Sequence, residues 1–268
     1  MKILRSLLLA ASAAFVVSCS SGIVMKSYYP SQAGVKRGES LVVVTDSASE
    51  EAYKLVNDIK KKLETKNYYR MGADGGSILY LHDVDVDINS YYHRNGNYKA
   101  EVTLSGDVSM VSGGAVTYSK RHSFDDSGII YRDSRDECKW LIRYDDFSDA
   151  VVYDVIPYAY EYTVEIYPAK GNSLLEHAAE CCADGDWEQG RFLAENSIVV
   201  FPNDPEGYYL LGMISRHERN FDAARDYFRK AADISYAERY NKAISDTDVI
   251  ERNEALVREQ MNGAPMPL

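Results

Sequence analysis

The stretch GNSLLEHAAECCADGDWEQGRFLAENSIVVFPNDPEGYYLLGMISRHERNFDAARDYFRKAADISYA, residues 171–237, decides the fold of the C-terminal part of this chain. One pattern occurs in it twice, 34 residues apart. Tyr208, Gly212, Ala224, Phe228 and Ala231 in the second copy answer to Leu174, Ala178, Gly190, Ala194 and Ser197 in the first, and Leu211 and Pro202 complete the pattern. Small residues at helical spacing let two helices approach closely, and the large ones fill the seam between them. The turn recurs as well: Asp184-Gly185-Asp186-Trp187 is followed by Glu218-Arg219-Asn220-Phe221. Between the copies, Phe201-Pro202-Asn203-Asp204-Pro205 ends one helix and starts the next, because proline lacks a backbone donor but is tolerated in a first helical turn.

A 34-residue period with these residues resembles the tetratricopeptide repeat over about a quarter of the chain. The resemblance implies two antiparallel helix pairs over residues 171–238 and a task of binding partners. It also implies a groove lined by Asn172, Leu175, Ala179, Cys182 and Ala183 from the first copy. The second copy would add Glu206, Tyr209, Met213, Arg216 and His217. Groove Lys and Asn positions that would clamp a peptide carboxylate are replaced by Leu175, Ala179, Tyr209 and Met213, so a more apolar occupant is expected, either a partner or the chain's own last helix. Tyr209, Met213, Arg216 and His217 are the expected partner-binding residues. Two repeats stack only marginally by themselves, and residues 239–262 supply a capping helix with Val249, Ile250, Leu256, Val257 and Met261 on one side. Residues 263–268 read as a frayed tail.

The 268-residue chain is 46% hydrophobic, enough to bury a core. Its net charge of −11 argues against nucleic-acid binding, which rests on phosphate neutralisation. Lys2 and Arg5 precede an apolar run over residues 7–17 that is too short to span a bilayer, as in a targeting segment over residues 1–18. The run ends Val16-Val17-Ser18-Cys19, which resembles the lipobox of bacterial lipoproteins. That resemblance implies acylation of Cys19 and attachment to a membrane by acyl chains, palmitate among them. Ser20, where an enteric retention signal has Asp, leans toward the outer membrane. Residues 19–38 read as a tether.

Residues 39–168 read as an α+β domain. Leu41-Val42-Val43-Val44-Thr45 forms a buried strand. A capping box at Ser47-Ala48-Ser49-Glu50 opens a helix with Ala52, Leu55, Val56, Ile59 and Leu63 on one face. A short strand at residues 67–71 and a turn at Asp74-Gly75-Gly76 follow. A meander comes next, over residues 78–88, 98–110 and 115–124, with an Asn95-Gly96 hairpin and a further short strand at 129–131. Residues 149–162 read as a helix bent at Pro157. The phrase over residues 102–119, with Asp107 and Gly113-Gly114 between strands, resembles periplasmic lipoprotein domains of the curli-secretion (CsgG) and TolB N-terminal type, which implies an oligomeric envelope machine as the alternative. The fold class is therefore α+β: an antiparallel-rich sheet with flanking helices, followed by an all-α tetratricopeptide-like repeat.

No catalytic residue, metal site or cofactor is expected. Asp83, Asp85 and Asp87 share a strand face, but alternate strand residues lie nearly 7 Å apart and cannot all reach one ion. That face is also the sole candidate for the acid pair of a glycan-active enzyme, a remote alternative. His82, His93, His122, His177 and His217 show no metal-ligand spacing. Once Cys19 is acylated, Cys138, Cys181 and Cys182 remain. Cys181 is expected to pack between helices, and a bond from Cys138 to Cys181 or Cys182 stays open. A scaffold or adaptor binding a protein partner is the leading function, with a homo-oligomer possible.

Overall fold

The structure is a computed structural model that describes residues 22–72 and 76–267. The targeting segment, Cys19 and most of the Asp74-Gly75-Gly76 turn lie outside the described residues. The chain is mixed α+β, with its sheet N-terminal and its helices C-terminal. The described residues divide into two compact units, one within residues 26–162 and 245–267 and the other within residues 22–25 and 163–244. No described helix is long and apolar enough to cross a membrane.

The α+β unit is built on a five-stranded sheet. Its strands are β2 (Ser40–Thr45), β3 (Arg70–Met71), β4 (Ser77–Tyr92), β5 (Tyr98–Ser112) and β6 (Ala115–Ile130), ordered β3-β2-β4-β5-β6. β2 runs parallel to β3 and β4, and the helix α1 (Glu50–Lys66) connects β2 to β3. Ser49 caps α1 by accepting from the Ala52 amide at 3.1 Å. β4, β5 and β6 form an antiparallel meander. Alternation decides its faces: Ala100, Val102, Leu104, Val108 and Met110 of β5 are buried, and their neighbours face outward. α1 and α3 (Tyr144–Val155) cover the buried face with Leu55, Ile59, Leu63, Phe147 and Val151. Asn95 and Gly96 both take positive φ, 54° and 83°, at the β4–β5 turn. β6 continues through residues 125–128 rather than breaking after residue 124.

Three expectations for this unit are corrected. Residues 22–38 are not a tether. β1 (Ile23–Tyr29) is a strand paired with β7 (Tyr158–Val164), and Ala33 and Val35 are core residues, because the alternation of small and apolar residues here is that of a packed segment. The helix ahead of Pro157 is α3, which ends at Val155; Ile156 is extended, with φ −124° and ψ 148°, and the chain leaves as β7 instead of bending on as a helix. A residue before proline is driven out of the helical region. The tail is not frayed: the Ala264 amide donates to the Met261 carbonyl at 3.0 Å, and Ala264 and Met266 lie against the core. A short helix α2 (Arg135–Cys138) and one 3-10 turn (Lys139–Leu141) precede α3.

The helical unit holds α4 (Ser173–Ala183), α5 (Trp187–Val200), α6 (Pro205–His217) and α7 (Phe221–Ile234), together with the first residues of α8 (Glu238–Gln260). Asp186 caps α5 and Asn220 caps α7, each through its side chain, 34 positions apart. Gly185 and Arg219 take positive φ, 88° and 64°, at the matching place in each turn. Gly190 and Gly212 mark the closest approaches. A methyl at Gly190 would meet Cys182 Sγ at 2.3 Å, and one at Gly212 would meet the Phe228 ring at 2.3 Å. Cys182 is therefore the sulfur packed between helices, whereas Cys181 is half-buried. Val257 and Met261, expected on a cap over the repeats, lie instead in the core of the α+β unit.

Candidate functional site

The residues expected to bind a partner along α6 divide into two sets. Tyr209, Met213 and Arg216 are 7%, 3% and 2% exposed. The start of α8 covers them: the Tyr240 ring lies 5.5 Å from that of Tyr209, and Arg216 Nη2 donates to the Ala243 carbonyl at 2.7 Å. The Arg239 guanidinium sits 4.2 Å from the Tyr209 ring centroid and pairs with Glu206 at 3.2 Å. The Tyr240 hydroxyl donates to Glu206 at 2.6 Å. These three residues are core of the helical unit, which corrects the expectation that they meet a partner. His217, the fourth, is at the surface and stacks on Trp187 at 3.8 Å; burial against that ring and the nearby Arg219 hold its pKa below the usual histidine value. Asn172 is wholly buried. It donates to Asp204 at 2.7 Å and accepts from Ser197 at 3.0 Å, a structural role.

The α+β unit holds a pocket of about 700 Å³, within the range of small-molecule sites. Four distant pieces of chain form it, the segment at Arg37 being the first. The end of α1 contributes Lys66, the end of α3 and the turn into β7 contribute Tyr153 and Ile156 to Ala159, and the segment after α8 contributes Met261 and Pro265 to Pro267. The positive φ of Asn262 and Gly263, 51° and 80°, turns that last segment back onto the wall. The lining is mostly aromatic and aliphatic, with no carboxylate side chain among the described residues. Among the described residues, Arg37 and Lys66 are its only charged side chains, in a chain of net charge −11. Arg37 Nη2 reaches the Asn67 carbonyl at 3.4 Å, which places it beside Lys66 at the C-terminus of α1. Lys66 also offsets the partial negative charge of that helix end. The Tyr68 hydroxyl is committed inward, 2.8 Å from the Val35 carbonyl and 3.1 Å from that of Gln260, and burial raises its pKa.

An aromatic strip continues from the pocket wall. Ring centroids of Tyr153 and Tyr158 are 4.7 Å apart, Tyr158 and Tyr29 5.3 Å, Tyr29 and Tyr160 4.5 Å, and Tyr160 and Tyr162 6.0 Å. Tyr29 and Tyr153 remain 42% and 44% exposed. The tyrosine content was legible in the sequence; this linear arrangement was not, because it joins two strands 130 residues apart.

A buried polar cluster sits beneath α3. Asp154 accepts from Tyr118 at 2.7 Å, Lys120 at 2.8 Å and Gln32 at 2.5 Å. His122 Nε2 is 3.0 Å from the Tyr118 hydroxyl and 3.4 Å from Asp154. Burial pushes the His122 pKa down, which the Asp154 charge opposes and the Lys120 charge reinforces. None of the cluster lines the pocket. Elsewhere, Asp83, Asp85 and Asp87 face outward along β4, where Asp83 takes a positive φ of 47° at a bulge. Among the described residues, no group of three or more His, Cys, Asp or Glu side chains is placed to hold a metal ion. Cys138, Cys181 and Cys182 are all free thiols, so the open disulfide is not formed.

No family model matches this chain. No curated protein matches it either. Among solved structures it is similar to the minor lipoprotein of Acinetobacter baumannii, with 11% identity and a TM-score of 0.33, over 45% of this chain and 92% of that one. It is also similar to rare lipoprotein B of Shewanella oneidensis, with 10% identity and a TM-score of 0.29, over 42% and 86%. PelC of Paraburkholderia phytofirmans, a dodecamer, gives 16% identity and a TM-score of 0.27, over 50% and 95%.

Proposed function

We propose that this chain is a non-catalytic, lipid-anchored scaffold of the cell envelope that holds a protein partner. The observation that carries the reading is the tyrosine strip Tyr153-Tyr158-Tyr29-Tyr160-Tyr162, half-exposed and continuous. Tyrosine offers large contact area with little conformational entropy to lose, and is enriched where proteins meet. The lipobox ending at Cys19 supports the anchor, and Ser20 supports the outer membrane. The 34-residue repetition of the caps Asp186 and Asn220 and of the positive-φ turn residues Gly185 and Arg219 supports reading the helical unit as tetratricopeptide-like, with its groove already filled by the first turns of α8.

The test is site-specific photocrosslinking in intact membranes, with the crosslinker at Tyr160 or, as a control on the helical unit, at Tyr208. A single protein adduct from Tyr160 that a Tyr29→Ser change removes supports the reading. An adduct from Tyr208 alone moves recognition to the helices and sinks the tyrosine-strip reading. The second reading, an oligomeric subunit of an envelope assembly machine, is favoured by β6. This 16-residue strand is at the edge of the sheet and, among the described residues, pairs only with β5. Long unpaired edges are templates for pairing between chains. Adducts consisting only of copies of this chain would select it.

A further inference from the structure

We propose that the pocket of the α+β unit binds a long-chain fatty acid, with its carboxylate at Arg37 and Lys66 and its alkyl chain between Tyr153, Ile156, Met261 and Met266. Charge complementarity selects the head group. Arg37 reaches the Asn67 carbonyl next to Lys66, and among the described residues no carboxylate side chain lines the pocket and neither cation has an ion-pair partner. An anion placed there gains a charge-assisted contact without displacing an existing pair. The walls select the body. A peptide brings amides that must find partners when buried, and here the Tyr68 hydroxyl is already satisfied by backbone carbonyls and that of Thr65 by the Lys61 carbonyl at 2.9 Å. An alkyl chain makes no such demand. Methionine thioethers adapt to a flexible chain, and prolines form a wall without free backbone donors. The volume of about 700 Å³ leaves room for a chain of this kind with water at the mouth. The inference does not rest on the partner reading: the pocket shares Tyr153 and Tyr158 with the strip, but its cations and its Met261 and Met266 wall lie outside the strip.

The experiment uses the full-length protein in phosphatidylcholine vesicles and a diazirine-bearing palmitate as the probe, with adducts mapped by mass spectrometry. Labelling is expected at the pocket residues, Met261 and Met266 among them. It should be competed by palmitate and not by hexadecanol, which has the chain without the charge. Shortening the competitor should weaken it about fourfold per methylene. The double change Arg37→Glu with Lys66→Glu should lower labelling at least tenfold while the melting temperature stays within a few degrees, since Lys66 is at the surface. Labelling absent from the pocket, equal competition by hexadecanol, or undiminished labelling of the folded double variant overturns the proposal. Labelling confined to Tyr29, Tyr160 and Tyr162, the strip residues outside the pocket, also overturns it.

Discussion

Replacing Gly212 with alanine sets two effects of opposite sign against each other. In a helix interior alanine is favoured over glycine by about 1 kcal/mol, so propensity alone makes Gly212→Ala stabilising. The structure says otherwise. The added Cβ would stand 2.3, 2.6 and 2.8 Å from three atoms of the Phe228 ring. Phe228 has no exposed surface. Arg216 lies 5.0 Å from its ring centroid, and the Tyr209 ring is 5.6 Å away. A rigid ring held on both sides cannot swing aside, and α6 must move off α7. Overpacking of this kind costs about 1–3 kcal/mol. Three contacts under 3 Å place it at the upper end, which leaves a net loss of about 2 kcal/mol after the propensity gain. At about 2–4 °C per kcal/mol for a chain of this size, the melting temperature should fall by about 4–8 °C. Circular dichroism melts and urea titrations of the full-length protein measure this. Pairing the change with Phe228→Leu should cost less than the sum of the two single changes, by at least about 1 kcal/mol. A stabilised Gly212→Ala protein, or strict additivity, would refute the close packing of α6 on α7.

Gly185→Ala should cost about 1–2 kcal/mol for a different reason. Nothing lies within 4 Å of the new methyl, but the backbone there has φ 88°, so the loss should not be relieved by any neighbouring substitution. Asp204→Ala should lower stability by about 3 kcal/mol in urea titration, because it removes the cap of α6 and leaves buried donors unpaired. The groups that lose their acceptor are the Glu206 amide at 3.1 Å, the Ala169 amide at 2.9 Å and Asn172 at 2.7 Å; Asp204→Asn should recover part of the loss. His122 and His217 have folded pKa values below their unfolded ones, so the unfolded chain binds the extra proton. Stability is then fully present above about pH 6.5 and falls as the pH drops through the lowered values. Urea midpoints from pH 7.5 to 5 should decrease, and His122→Gln should flatten the slope; a midpoint that rises on acidification in this window would contradict the buried neutral imidazole.

Local chemistry alone determined several parts of this protein. The alternation along residues 98–110 placed β5 and its buried face, since a strand has only two faces. Asn95-Gly96 marked the β4–β5 turn and the 34-residue spacing the paired turns capped by Asp186 and Asn220, whereas the expected capping box over residues 47–50 is replaced by a cap at Ser49, two residues on. Other features depended on what the chain meets far away in sequence. Residues 22–38 looked like a tether because glycine, serine and lysine dilute the apolar signal; their burial of Ala33 and Val35 comes from the core they join. Tyr209, Met213 and Arg216 read as a surface because helix periodicity shows which side of α6 they share and not what covers it. Tyr240 and Ala243 decide that. The pocket has no sequence signature at all. Arg37, Lys66, Tyr153 and Met266 become one site only when four separate segments converge, and such long-range contacts are set by the packing of whole elements rather than by any local pattern.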